Sequence, residues 1–285
     1  MSLAAVYDHA IPDAVLHYGA RESVFYALSL GLGARALPYV YEGAPGGLKA
    51  LPAMGLVLAD PGFWMQNTAL DLPKLVHLSE RLELIGPLPP EGRLTRRARV
   101  SHVADRGAGR GALLVTDSEL ADESGKVLAS VRQTVLARGD GGSGEAHGAP
   151  PERRVFTVPE RVPDAVVELP TLPQQALLYR WNGDMNPLHA DPDVARAAGF
   201  DRPILHGLCT LGVASLAVME AFGDWRHDAI AAMEARFSAP VFPGESLRCT
   251  MWCEEQDGAA QVIMRASIVG RDSTALDPAI FTLRD

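Results

Sequence analysis

Only three cysteines occur in 285 residues, Cys209, Cys249 and Cys253, an odd number with no Cys-x-x-Cys pair. That argues against a disulfide framework and leaves no thiolate zinc motif. Cys249, Met251 and Cys253 alternate as one face of a strand, and the thiols read as small core hydrophobes. Basic residues are also few: 26 Lys and Arg stand against 35 Asp and Glu, a formal net charge of -9. Such a chain has no general attraction for phosphate backbones or anionic lipid, so neither nucleic acid nor a membrane is expected as a partner. No apolar run approaches the length of a membrane span, and residues 1–15 carry neither a basic nor a long apolar stretch. The cytoplasm is the expected location.

What is present is the balance of a globular protein, 47% apolar and 21% charged, at a length that suits one large domain or two of ordinary size. Gly139-Asp-Gly-Gly-Ser-Gly-Glu-Ala-His-Gly-Ala-Pro-Pro151 lacks any hydrophobic period and reads as a linker. It separates an N-terminal unit, 1–138, from a C-terminal unit, 152–285. The two halves share a near-repeat: residues 81–94 and 236–247 each place a proline, Pro87 or Pro240, seven residues before a leucine, Leu94 or Leu247, with a Pro/Gly turn between extended runs. Alternating apolar residues then predict strands over 94–103, 112–120 and 127–137, and again over 247–253 and 260–269. Helices are fewer. Residues 21–32 carry one apolar face, and residues 207–222 are apolar nearly all round, as a helix wrapped by its own sheet must be.

The chemistry concentrates in Asn-Gly-Asp-Met-Asn-Pro-Leu-His, residues 182–189. Asp184, Asn186 and His189 fall within six residues, in a segment that Gly183 and Pro187 keep from regular helix, so one loop can turn all three toward a point. Asp191 and Pro192 read as N-cap and first residue of a short helix ending near Gly199. Pro203-Ile-Leu-His-Gly207 then opens the apolar helix, where the amide of Gly207 and the positive helix end suit a developing oxyanion.

The stretch from Tyr179 to Ala195, with Pro203-Ile-Leu-His-Gly207, resembles the signature of the MaoC-like, type 2 enoyl-CoA hydratases. The resemblance extends to Tyr26-Ala-Leu-Ser-Leu-Gly-Leu-Gly33, Tyr39-Val-Tyr-Glu42 and Leu82-Glu-Leu-Ile-Gly-Pro-Leu-Pro-Pro90 and so covers nearly the whole chain. It implies an α+β double hot-dog, two curved antiparallel sheets each around a central helix, the first helix reduced, with the sheets joined edge to edge. It also implies (R)-specific hydration of trans-2-enoyl-CoA, with Asp184 and His189 as a dyad that holds and activates a water. Asn186 would orient that dyad and the Gly207 amide would receive the thioester oxygen. Ser215 would lie near the catalytic aspartate, and Asp184 itself is expected to be buried beside apolar walls. His206, Arg202 and Arg236 are candidate substrate contacts, the arginines for CoA phosphates.

Where such sequences commonly read His-Gly-Glu-Gln, this one has His77-Leu-Ser-Glu-Arg81, and no second Asp-to-His motif occurs before the linker. The N-terminal half is therefore expected to house the acyl tail without catalysing. No metal or redox cofactor is implied, coenzyme A entering only as part of the substrate, and a homodimer is expected. Three other readings stay open: a 3-hydroxyacyl-thioester dehydratase using acyl carrier protein, a hot-dog thioesterase, and a non-catalytic acyl-CoA-binding subunit.

Overall fold

A computed structural model describes residues 2–152, 154–256 and 258–284. The alternating segments form strands: β1 (Ala14–Tyr18), β2 (Leu75–Leu84), β3 (Gly92–Asp105), β4 (Ala112–Ala121), β5 (Val127–Ala137), β6 (Ala146–His147), β7 (Ala165–Pro170), β8 (Ile230–Phe237), β9 (Ser246–Gln256), β10 (Ala259–Ile268) and β11 (Thr274–Leu283). They pair into one sheet in the order β1-β3-β4-β5-β2-β8-β11-β10-β9-β7, with β6 beside β3. Every pairing is antiparallel.

Read outward from the β2–β8 junction, the two halves have the same topology: β2, β5, β4, β3, β1 on one side and β8, β11, β10, β9, β7 on the other. The near-repeat in the sequence thus reflects two copies of one fold, and its two copies begin in the strands that meet. Leu82 stands opposite Met233, and Arg81 of β2 binds Glu234 of β8 at 3.1 Å. Pairing β2 with β8 satisfies two strand edges that would otherwise be open to other chains. The fold is the expected double hot-dog.

Six α-helices accompany the sheet among the described residues: α1 (Leu3–Tyr7), α2 (Ala20–Ser29), α3 (Met54–Leu58), α4 (Gln175–Tyr179), α5 (Pro192–Ala197) and α6 (Gly207–Ala221). In α6 every residue from 208 to 219 is buried, which explains why its sequence shows no polar face. Its counterpart in the first half is reduced to α3, where Gly55 allows the backbone to approach the Leu82 side chain; a Cβ there would sit 3.0 Å from it. The helix predicted over 21–32 ends at Ser29, because Gly31 takes a φ of 81°. None of these helices is long and apolar enough to cross a membrane.

The segment 139–151 is more ordered than a free tether. Gly142 and Gly144 take positive φ, which turns their amides onto the Asp105 carboxylate at 2.8 and 2.7 Å, and β6 pairs with β3. The polar composition that reads as linker here serves to fold the loop back on one acidic side chain.

Candidate active site

The loop between α4 and α5 is built by its own side chains. Gly183, at φ 127°, reverses the chain after a 3₁₀ turn, a conformation that favours glycine. Asp184 Oδ1 then accepts the Asn186 amide at 3.0 Å, and Asn186 Oδ1 accepts the Leu188 amide at 3.1 Å, capping a second 3₁₀ turn that ends on His189. Asn186 therefore sets the spacing of the dyad through backbone geometry. Asp191 caps α5 by accepting from the Asp193 and Val194 amides, which fixes the far end of the loop. The N-terminal half supports it too: Asn182 Nδ2 donates to Ser29 Oγ of α2 at 2.9 Å.

These turns bring His189 Nε2 to 3.9 Å from Asp184 Oδ2. That is too long for a direct hydrogen bond, yet a water placed about 2.8 Å from both would see them roughly 90° apart, close to its own preferred geometry. His189 Nδ1 lies 2.8 Å from the Ile204 carbonyl, so it carries the proton and Nε2 presents a lone pair toward Asp184. Burial holds the His189 imidazole below the ordinary histidine range, which keeps that lone pair free near neutral pH. Asp184 was expected to be buried; its side chain is 39% exposed, because it lines the wall of a cavity instead of packing under the core.

His206 packs on the dyad. Its ring stacks on His189 with centroids 3.7 Å apart, Tyr179 lies 5.0 Å away on its ring, and its Nε2 donates to the Asp184 backbone carbonyl at 3.2 Å. Nδ1 is buried with no partner, so a proton there has nothing to bond. Burial, with His189 beside it, drives its pKa well below the histidine norm. Asp184, His189 and His206 place donor atoms within 4.8 Å of one another. The two imidazoles stack face to face, however, 3.7 Å apart with planes 25° from parallel, so one ion at ligand distance cannot lie in the plane of both rings.

Gly207 is the first residue of α6, so its amide has no acceptor within the helix and is free to bind an oxyanion. A Cβ there would meet the Phe237 ring at 3.2 Å, so a larger residue would require that ring to shift. Ser215 is buried two turns along α6 and donates its hydroxyl to the Gly212 carbonyl at 2.6 Å. Arg202 lies over the Phe242 ring at 4.9 Å, and Arg236 is exposed on β8 with no partner among the described residues. Neither arginine lines the cavity that reaches Asp184.

That cavity, of about 1010 Å³, lies between the halves. Its wall draws on β1 and α2, on α3 with Asp60, on Arg96 of β3, and on the α4 end and loop as far as Asp184 and Leu208. Asp60, Arg96 and Tyr179 were not anticipated as site residues. Tyr179 is fully buried, beside Tyr26 and the His206 ring, and it stands at the head of the stretch that carries the dyad.

A duplicated hot-dog carrying an Asp/His pair next to the start of a buried helix, with Asp184 on the wall of a cavity, is the frame against which known proteins were compared. Residues 16–139 match the family described as the MFE-2 hydratase 2 N-terminal domain, and residues 155–272 match the MaoC like domain. The chain is 37% identical over 264 residues to an enoyl-CoA hydratase of Mycobacterium tuberculosis, covering 89% of this chain and 90% of the relative. It is also 37% identical over 256 residues to a 3-hydroxyacyl-thioester dehydratase of the same organism, covering 88% and 87%. The structure of a MaoC-like dehydratase from Phytophthora capsici superimposes with a TM-score of 0.86 at 29% identity, covering 100% of this chain and 99% of that one. The chain belongs to the MaoC-like hydratase and dehydratase family.

Proposed function

We propose that this protein hydrates trans-2-enoyl-CoA to (R)-3-hydroxyacyl-CoA, reversibly, at the Asp184/His189 dyad. The observation that carries this reading is the 3.9 Å gap between Asp184 Oδ2 and the unprotonated His189 Nε2, wide enough for one water, with Asp184 on the cavity wall. As the water oxygen bonds to C3, Nε2 takes a proton from it, and the C2–C3 π electrons move toward the thioester, whose oxygen becomes an enolate. The Gly207 amide, at the positive end of α6, stabilises that oxygen. When the enolate collapses, C2 takes a proton from the dyad on the face where the hydroxyl arrived, and His189 returns to its starting form. Asn186 and His206 position the dyad; they touch no reacting atom.

The dehydratase named among the relatives catalyses this step in the reverse sense, so the thioester handle is the open variable. Turnover of matched crotonyl-CoA and crotonyl-carrier-protein thioesters separates the two. A CoA hydratase turns over the CoA ester at least as well; strong preference for the carrier-protein ester overturns the CoA assignment. Release of free CoA from acyl-CoA would overturn both in favour of a thioesterase. The reading includes a cytoplasmic homodimer, for which sedimentation at micromolar concentration is the test of assembly.

A further inference from the structure

The cavity that Asp184 lines is more polar than an alkyl tail requires. Among aliphatic and aromatic wall residues such as Val57, Leu58 and Phe25 stand Asp60 and Arg96, which the dyad does not use. Arg96 gives one terminal N–H to the backbone carbonyl of Asp60, and its Nε–H is buried with no acceptor among the described residues. Asp60 accepts the Gly62 amide on one carboxylate oxygen at 2.7 Å; its second oxygen has no hydrogen-bond partner among the described residues. Burial raises the Asp60 carboxyl above the ordinary carboxylate range, with the charge of Asp184 adding to the effect, and burial lowers Arg96. Both side chains are partly exposed on the cavity wall, where a bound tail would displace the water that solvates them. A methylene chain in contact with them would satisfy neither.

We propose that Asp60 and Arg96 form a polar subsite that selects an acyl tail bearing a hydroxyl group. The argument is one of complementarity. A hydroxyl accepts from a guanidinium N–H and donates to a carboxyl oxygen at once, whereas a ketone offers Asp60 no donor and a tail carboxylate brings like charge against it. A site built to bond a hydroxyl discriminates against the analogue lacking it more sharply than an apolar pocket discriminates between alkyl tails. The inference rests on the enoyl-thioester reading of the same cavity.

The test compares kcat/KM for trans-2-octenoyl-CoA with that for its four derivatives hydroxylated singly at C5, C6, C7 or C8, isomers of one another, followed by loss of enoyl-thioester absorbance. At least one isomer is expected to exceed the plain substrate by roughly tenfold or more. Within Asp60→Leu and within Arg96→Met that ratio should fall toward one, and because each ratio is internal to one variant, partial loss of folded protein cancels. Should neither variant fold, the wild-type ratios decide alone. Plain octenoyl-CoA turned over as well as all four isomers, or a preference that survives both substitutions, overturns the subsite. No hydration of any of the five substrates would instead overturn the hydratase reading beneath it.

Discussion

His206 makes the protein's stability depend on pH in a way that one substitution should reveal. In the folded chain its imidazole is 1% exposed, stacked on His189, with Nε2–H on the Asp184 carbonyl and Nδ1 buried without a partner. Protonation would put a second N–H where no acceptor exists, beside another imidazole, so its folded pKa lies below the unfolded one. The unfolded chain therefore binds more protons, and stability is lost as pH falls below about 6.5. A group that titrates only when unfolded costs about 1.4 kcal/mol per pH unit, so between pH 6.5 and 4.5 His206 should account for about 2–3 kcal/mol. His206→Gln keeps an N–H donor near the Nε2 position but does not titrate. Its loss of stacking is a constant offset; the removal of a neighbour that can charge also relieves His189, in the same direction. Urea unfolding of wild type and variant at pH 7 and pH 4.5 gives the difference of differences, with the variant losing about 2–3 kcal/mol less on acidification. Parallel losses within about 0.5 kcal/mol would refute the reasoning.

Other consequences follow from the same geometry. His189 is held neutral by burial, so as a base its activity should fall only as pH drops through a value below 6.5, which the acid limb of a kcat/KM profile would show. Gly183→Ala places a side chain at φ 127° immediately before Asp184; it should cost about 1–3 kcal/mol in denaturant unfolding and lower kcat with it. Ser215→Ala should leave kcat within about threefold and stability within about 1.5 kcal/mol, since the hydroxyl bonds only the Gly212 carbonyl. A far larger loss of kcat in that variant would restore Ser215 to the site.

The catalytic loop was legible in the sequence because it is local: Gly183, Asp184, Asn186, Pro187 and His189 set one another's positions through turns of two or three residues. The α6 helix and β3, β4, β5, β9 and β10 were legible for the related reason that each carries its own period. The period is obscured in β11, where Asp277 and Pro278 interrupt the strand and its register with β8 shifts between Leu276 and Ala279. Ser215 was placed through the resemblance, since a serine inside an apolar helix carries no signal of its own, and its hydroxyl bonds the Gly212 carbonyl one turn back. The cavity could not be read from sequence, because Leu16, Phe25, Asp60, Arg96 and Leu177 are scattered along the chain and meet only through the antiparallel pairing and the packing of the two halves. Arg202 and Arg236 were chosen by charge alone, and charge does not report direction.

The central claim, that Asp184 and His189 share one water for addition to an enoyl thioester, is tested most directly by hydration of crotonyl-CoA and trans-2-decenoyl-CoA by wild type and Asp184→Asn, with product configuration determined. The expected result is the (R)-3-hydroxyacyl-CoA from wild type and a rate lower by about 10²- to 10⁴-fold in a variant that remains folded. An (S) product, or a folded variant within about tenfold of wild type, would contradict it.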